Sequence, residues 1–340
     1  MTQKRNRVIY IPYSNKSGDV YEYPVNMIKI LEKKYAVNGQ LAELNNVVDI
    51  MKTKAVFLNW IEDKLDTKMK IQLCMYRLFG AKVIWIFHNK FPHKFTEKDR
   101  KIMGNMRWLA NHASYIILHS RSSRKYVPNY SINKSKAVYV PHIMFEKRLS
   151  LQHISELRNK YNISETDFVF TMFGMIKQYK RYEDTIKAFK KLGIPGTKLI
   201  LAGNSDEVEY IKCLKNLCCD CEDIILDIRY IPNVTLNAII EISDVIVVPY
   251  VNSSSMNSGV MIQAFSNART VIIPDICMAR DLASQRFFYG YKMNLEKAML
   301  KAYKNGKEAN REMGNRAYEY VSKHNNEEVV SAKLYSILER

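Results

Sequence analysis

A chain of 340 residues that is 47% hydrophobic, with 12 Gly and 9 Pro, has the length for two ordinary cores and is neither disordered nor of low complexity. No apolar run reaches the roughly 18 residues that span a bilayer, and MTQKRNRVIYIPY passes from a basic patch straight into a strand without a signal-peptide apolar region, so a cytoplasmic protein is expected. The formal net charge of +18 is concentrated: residues 1–150 hold 27 Lys and Arg against 11 Asp and Glu, and the remainder 25 against 23, so an anionic partner is expected to meet the first half.

Along the chain, apolar β-branched runs predict strands at 7–12, 55–59, 83–88, 115–119 and 137–140, with a loop at 13–23 and a helix at 25–34 after the first strand. Residues 68–82 interleave Ile71, Leu73, Met75, Leu78 and Phe79 with Lys and Arg. They read either as a membrane-surface helix or as a core helix ending at Gly80, and the direct run into a buried strand favours the core helix. A linker is expected within 141–157. Further strands are expected to begin at Phe168, Leu199, Ile224, Val245 and Val271, with helix from Leu295 onward. Alternation of strand and helix in both halves predicts two α/β units with parallel sheets. There is no internal repeat.

Cysteine usage excludes a small disulfide-built domain. Cys74, Cys213, Cys218, Cys219, Cys221 and Cys277 form no dense framework, and CLKNLCCDC lacks the second CxxC or paired His of a zinc site, so incidental thiols are expected. No zinc finger, aromatic RNA-binding motif or Arg-rich groove helix is present, so no nucleic acid partner is expected.

Two segments carry chemistry. In residues 244–275 an apolar strand closed by Pro249 is followed by a loop and then by a helix entered through Ser258 and Gly259. Ser258 is an N-cap candidate, and the free N–H groups and partial positive charge of such a helix start suit a phosphate or diphosphate. In residues 168–189 a buried strand meets Gly174, a basic loop with Lys177, Lys180 and Arg181, and an amphipathic helix with Ile186 and Phe189 inward. That places cations at the carboxyl end of a strand, where open α/β sheets bind ligands. Each segment also has a plainer reading, as an ordinary capped helix and as solvated lysines.

FGMIKQYKRYEDTIKAFKKL, KLILAGN and YIPNVTLNAIIEISDVIVVPY followed by the Ser-Gly helix resemble the C-terminal domain of a GT-B glycosyltransferase related to family GT4. VIWIFHNKFPH is similar to the HN-x-x-PH element of bacterial polysaccharide glycosyltransferases of that group. YIILHSRSSRKYV and VYVPH are similar to the elements that close its first domain. The resemblance covers nearly the whole chain. It implies an α/β chain of two Rossmann-like domains facing an interdomain cleft, the GT-B architecture. An acceptor-binding domain would span 1–150 and a nucleotide-sugar donor domain 151–325, with a C-terminal helix over 326–340 crossing back to the first domain.

The resemblance also implies roles. Gly174, Lys177, Lys180, Ser258 and Gly259 would hold the donor diphosphate, whose leaving-group charge grows in the transition state. The loop from Arg229 through Ile231 to Asn233 would receive the nucleotide base, and Asn252, Ser255, Asn257 and Gln263 would address ribose and sugar hydroxyls. Two glutamates that many members carry eight residues apart are replaced here by Ser255 and Gln263. Neither an amide nor a hydroxyl serves as a carboxylate base, so the stereochemistry does not carry over. No Asp-x-Asp triplet occurs, so a metal-independent site is expected. The nucleotide sugar, a UDP- or GDP-sugar, is a substrate, and no cofactor is implied.

For the reacting centre, His88 reads either as a cleft-facing imidazole that contacts the sugar or acceptor, or as a histidine packed at a strand end. Asp19, in the Gly18-Asp19 turn, is the base suited to an inverting reaction, or a turn Asp accepting backbone N–H groups. His93 and His142 are weaker candidates. The implied activity is sugar transfer to a lipid-diphosphate-linked glycan in surface polysaccharide assembly, at the inner face of the cell membrane, with the basic domain on anionic lipid. The alternatives are a catalytically silent GT-B homologue acting as partner of another transferase, and a nucleotide-sugar epimerase or hydrolase on the same fold.

Overall fold

The computed structural model describes residues 5–12, 22–90, 97–130, 134–249 and 255–340. The chain divides into two units, one of Met1–Ile143, Ser253–Asn257 and Asn325–Arg340, the other of Met144–Asn252 and Ser258–His324.

The first unit holds strands β1 (Arg7–Ile11), β2 (Ala36–Asn38), β3 (Thr53–Asn59), β4 (Lys82–Ile86), β5 (Tyr115–Leu118) and β6 (Ala137–Tyr139). They form one parallel sheet in the order β2-β1-β3-β4-β5-β6. β3 and β4 are nearly continuous apolar runs because helices cover both faces of a parallel sheet. The helix Glu327–Glu339 is part of this unit: Val330, Leu334, Ile337 and Leu338 are buried with Val8, Tyr10, Phe57 and Ile84. The ammonium of Lys82 donates to the carbonyls of Ile337 and Leu338 at 3.0 Å each, a cation on the negative end of that helix.

The second unit holds β7 (Phe168–Phe173), β8 (Thr197–Gly203), β9 (Ile224–Ile228), β10 (Val245–Val247), β11 (Thr270–Pro274) and β12 (Tyr289–Tyr291), parallel in the order β12-β11-β10-β7-β8-β9. Both units are Rossmann-like. The strand order reverses at β1/β3 in the first sheet and at β7/β10 in the second, and the crevice beyond the carboxyl ends at such a point is where doubly wound sheets take ligands.

The structure departs from the sequence reading in places. The expected linker ends early, because a helix occupies Leu151–Lys160, with the Ser150 hydroxyl accepting from the N–H of His153 at 3.4 Å. Only Leu157 of that helix is buried, so its apolar periodicity is too thin to read. β2 and β12 are three-residue edge strands, too short for an alternation signal. The helical tail breaks at Gly306, whose φ of 78° lies outside the helical region, within Leu295–His324. Residues 68–82 hold a helix at Thr67–Leu78 that leads into β4, with Gln72, Leu73 and Tyr76 buried and Ile71 and Leu78 exposed.

Candidate functional sites

In the second unit the carboxyl ends of β7 and β8 come unusually close. Gly203 has φ of 150°, and a Cβ there would lie 2.1 Å from the carbonyl oxygen of Gly174, so only glycine fits. Gly174 itself has φ of 101°, and the Tyr182 hydroxyl donates to its carbonyl at 3.1 Å. This packing turns the chain sharply after β7 and delivers Lys180 at the end of a single 3-10 turn, Gln178–Lys180.

Lys180 is 8% exposed and has no carboxylate partner among the described residues. Burial lowers its pKa from 10.5 to about 8, so the ammonium persists at neutral pH as an uncompensated charge. A Cβ placed on Gly174 would lie 3.2 Å from the Lys180 Nζ and 4.0 Å from Val260 Cγ2. Gly174, Lys180 and the first turn of the helix Gly259–Ser266 therefore converge. Ser258 caps that helix, its hydroxyl accepting from the N–H of Met261 at 3.1 Å. The first-turn N–H groups of Gly259 and Val260 have no intrahelical acceptor. A buried cation beside a helix N-terminus is a place for an anion.

The other expected donor residues are disposed differently. Lys177 is already held by Asp206 and, at 3.8 Å, by Glu207, and the Glu207 carboxylate also accepts from the N–H of Gln178 at 2.9 Å. Arg229 is paired with Asp227, Nε to Oδ1 at 2.9 Å, while its N–H donates to the Gly203 carbonyl at 3.0 Å. Ile231 is half-buried against the core of the second unit. Gln263 is half-buried, one turn beyond Gly259. Asn252 lies outside the described residues, as do Asp19 and His93.

The first unit brings three histidines together, because β4, β5 and β6 are adjacent parallel strands and each runs into a histidine: His88, His119 and His142. Ring centroids lie 5.6 Å apart for His88 and His119 and 5.3 Å for His119 and His142. Tyr23 packs edge-on to His88 and His119 and tilted on His142. His119 donates from Nδ1 to the Val140 carbonyl at 2.8 Å, so its Nε2 accepts the Tyr23 hydroxyl at 2.7 Å. His142 donates from Nδ1 to the Ile143 carbonyl at 2.8 Å.

Burial lowers the pKa of His119 to about 3 and of His142 to about 4, and burial followed by its two imidazole neighbours holds His88 well below 6.5. All three are neutral at pH 7. Among the described residues no group of three or more His, Cys, Asp or Glu side chains is arranged to hold a metal ion.

His88 stands at the open side of this nest. Trp60 stacks on it with centroids 4.6 Å apart and planes at 26°, and its Nε2 lies 2.5 Å from Asn59 Oδ1. Its carbonyl lies 3.5 Å from Asn257 Nδ2, and Asn89 forms an isolated antiparallel bridge with Ser255. Of the sugar-binding residues expected from the sequence, Ser255 and Asn257 thus belong with His88.

Tyr23, Asn59, Trp60 and His119 escaped the sequence reading. The signal for His119 was a third strand ending in histidine. For Asn59 it was a polar residue closing the apolar run AVFLN.

Residues 153–320 match the family model for glycosyl transferases group 1. Among curated proteins no sequence matches this one. Among solved structures the chain is similar to HepE from Anabaena in complex with UDP-glucose, with 12% identity, a TM-score of 0.75 and coverage of 98% of this chain and 99% of that one. It is also similar to sucrose-phosphate synthase from Thermosynechococcus elongatus, with 14% identity, a TM-score of 0.73 and 98% of each chain covered. A glycosyltransferase from Rickettsia africae shows 13% identity and a TM-score of 0.69 over 99% of this chain and 98% of that one. Similarity at these identities is similarity of fold. A region that matches the glycosyl transferases group 1 model thus lies in a chain with the fold of GT-B glycosyltransferases, two Rossmann-like domains.

Proposed function

We propose that the chain moves a sugar from a nucleotide-sugar donor, a UDP- or GDP-sugar, to a glycan acceptor. The observation that carries this reading is Lys180: a side chain nine-tenths buried, with no carboxylate partner among the described residues, beside Gly174 and the capped helix start at Ser258. A buried charge without a partner is costly, and a diphosphate supplies the missing one. The charge on that diphosphate grows as the glycosidic bond breaks, so the same cation lowers the barrier. HepE has been solved with UDP-glucose and with UDP, which supports a uridine nucleotide here. Ser258 and Gly259 complete the diphosphate site, Arg229 and Ile231 border the base, and Asn252, Ser255, Asn257 and Gln263 meet ribose and sugar.

The first unit takes the acceptor. His88, neutral at working pH, accepts a hydrogen bond from a hydroxyl of the sugar or acceptor, and Asp19 is the base if the reaction inverts. The cationic excess of residues 1–150 fits a lipid-diphosphate-linked acceptor on an anionic membrane at the cytoplasmic face, in assembly of a surface polysaccharide such as a capsule. No helix among the described residues is long and apolar enough to cross a membrane, which suits peripheral attachment. The diphosphate is neutralised by side chains and helix N–H groups, without a required metal. The replaced glutamate pair favours, as a second reading, a silent homologue that binds another transferase.

Purified protein exposed to UDP-, GDP- and dTDP-sugars should show one nucleotide series raising the melting temperature, since a ligand at 100 times its Kd adds about 2.7 kcal/mol. Turnover of that donor with lipid-linked acceptor in anionic vesicles should exceed turnover in neutral ones and fall with added salt. NMR of the product then sets the role of Asp19, since retention of anomeric configuration with a fully active Asp19→Asn enzyme removes it as base. Stabilisation by no nucleotide sugar overturns the donor reading, and binding without turnover favours the silent homologue.

A further inference from the structure

The carboxyl end of β3, at the reversal point of the first sheet, ends in a polar residue that apolar packing alone does not explain. Asn59 is completely buried. Its Oδ1 lies 2.5 Å from His88 Nε2, while its Nδ2 is buried with no hydrogen-bond partner among the described residues. A leucine there would leave no amide unsatisfied, so stability alone does not select Asn. The next residue, Trp60, has φ of 48°, a left-handed conformation that is sparsely populated for a bulky side chain. That backbone lays the indole on the imidazole face.

We infer that Asn59 is a positioning residue: its carbonyl oxygen holds His88 in the tautomer protonated at Nε2, so that Nδ1 is the atom presented to substrate as an acceptor. An amide oxygen only accepts, so the proton between the two groups belongs to His88 Nε2. In a neutral imidazole the other nitrogen then carries the lone pair, and Nδ1 has no hydrogen-bond partner among the described residues. The pair combines an acceptor fixing the proton with a stacked ring fixing the plane, the arrangement by which supporting residues set a functional side chain. The titratable groups that face His88 are Tyr23 from the helix Glu22–Glu32 and the imidazoles of His119 and His142 beyond β5 and β6. All three are neutral at pH 7. Asn59, itself uncharged, therefore orients His88 without placing a charge beside it.

The inference rests on the proposed role of His88. Nitrogen-15 NMR of the full chain labelled at histidine, read without substrates at pH 7, should show His88 with a protonated Nε2 and an unprotonated Nδ1. The opposite tautomer, or an even mixture, overturns the inference while leaving the role of His88 standing. Asn59→Asp keeps the shape and the acceptor and adds a negative charge, so the His88 titration and the acidic limb of the pH–rate profile should move up by about one pH unit or more. Asn59→Leu should lower kcat about 10- to 100-fold with the donor KM within about twofold of the parent, the scale of a mis-set acid–base group. An unmoved acidic limb in Asn59→Asp, or full kcat in Asn59→Leu, overturns the inference. Full turnover by His88→Ala overturns it together with the role on which it rests.

Discussion

Lys180 in the second unit and His119 and His142 in the first are all more than nine-tenths buried at the carboxyl ends of parallel strands, and burial lowers the pKa of each. The outcome at neutral pH is opposite. Lysine starts near 10.5, so a fall to about 8 leaves the ammonium charged, whereas histidine starts near 6.5 and a fall to about 3 or 4 leaves the ring neutral. Similar desolvation thus makes a cationic pocket in one unit and an uncharged hydrogen-bonding nest in the other. This division suits the proposed transfer, in which the leaving diphosphate needs charge and sugar hydroxyls need neutral acceptors.

The sharpest way to break the comparison is to remove the cation. Lys180→Ala should weaken binding of the nucleoside diphosphate about 10- to 100-fold, since a hydrogen bond to a charged group contributes about 1.5–3 kcal/mol. Calorimetric titration checks this. In the parent, affinity should decline as pH rises through about 8, where the ammonium loses its proton, and Lys180→Arg should remove that decline because guanidinium stays charged. Unchanged affinity in Lys180→Ala removes the anion site from the second unit.

The neutral nest has its own signature, in stability rather than binding. His119 and His142 have folded pKa values below the unfolded 6.5, so below pH 6.5 the unfolded chain takes up protons that the folded chain refuses. Stability is therefore highest above about pH 6.5 and falls as pH drops toward 4, by about 1.4 kcal/mol per pH unit for each ring. At pH 5 the two rings together should cost roughly 4 kcal/mol, read by denaturant unfolding at pH 7 and pH 5. A loss that begins only below about pH 4.5 would implicate carboxylates and end the account of the nest.

These two regions were not equally legible in the sequence. The surroundings of Lys180 were, because their parts are contiguous: Gly174 and Lys180 flank one turn, and Ser258 and Gly259 open one helix, so local rules for turns and caps suffice. The nest is assembled from Tyr23, Asn59, Trp60, His88, His119 and His142, which share no local pattern and meet only once the order β1-β3-β4-β5-β6 is known. His88 could be singled out by its motif, while Asn59 resembles any residue at the end of an apolar strand. The same distinction holds for the fold. Long apolar runs such as β3 and β8 and the periodic apolar face of the Glu327–Glu339 helix are plain in the sequence, whereas β2, β12 and Leu151–Lys160 bury too few side chains to leave such a signal.

Lys177 is the finest test of what a basic loop residue is worth. From the sequence it ranks with Lys180, since both lie in the loop after β7 and removal of either is expected to weaken the donor. The structure separates them. Lys177 is already neutralised by Asp206 and Glu207, so engaging a diphosphate requires it to leave or share those carboxylates, and the net gain is small. Asp206 is largely exposed, and an ion pair reaching solvent is worth only about 0–1 kcal/mol. Lys177→Ala should accordingly weaken nucleotide binding by less than about fivefold, against 10-fold or more for Lys180→Ala, in the same titration at the same salt. Asp206→Asn should tighten binding slightly by releasing the cation, with the gain shrinking as salt rises. Equal losses in the two lysine variants would mean that the ion pairs of Lys177 open when the donor arrives, and that the second unit neutralises the diphosphate with two cations rather than one.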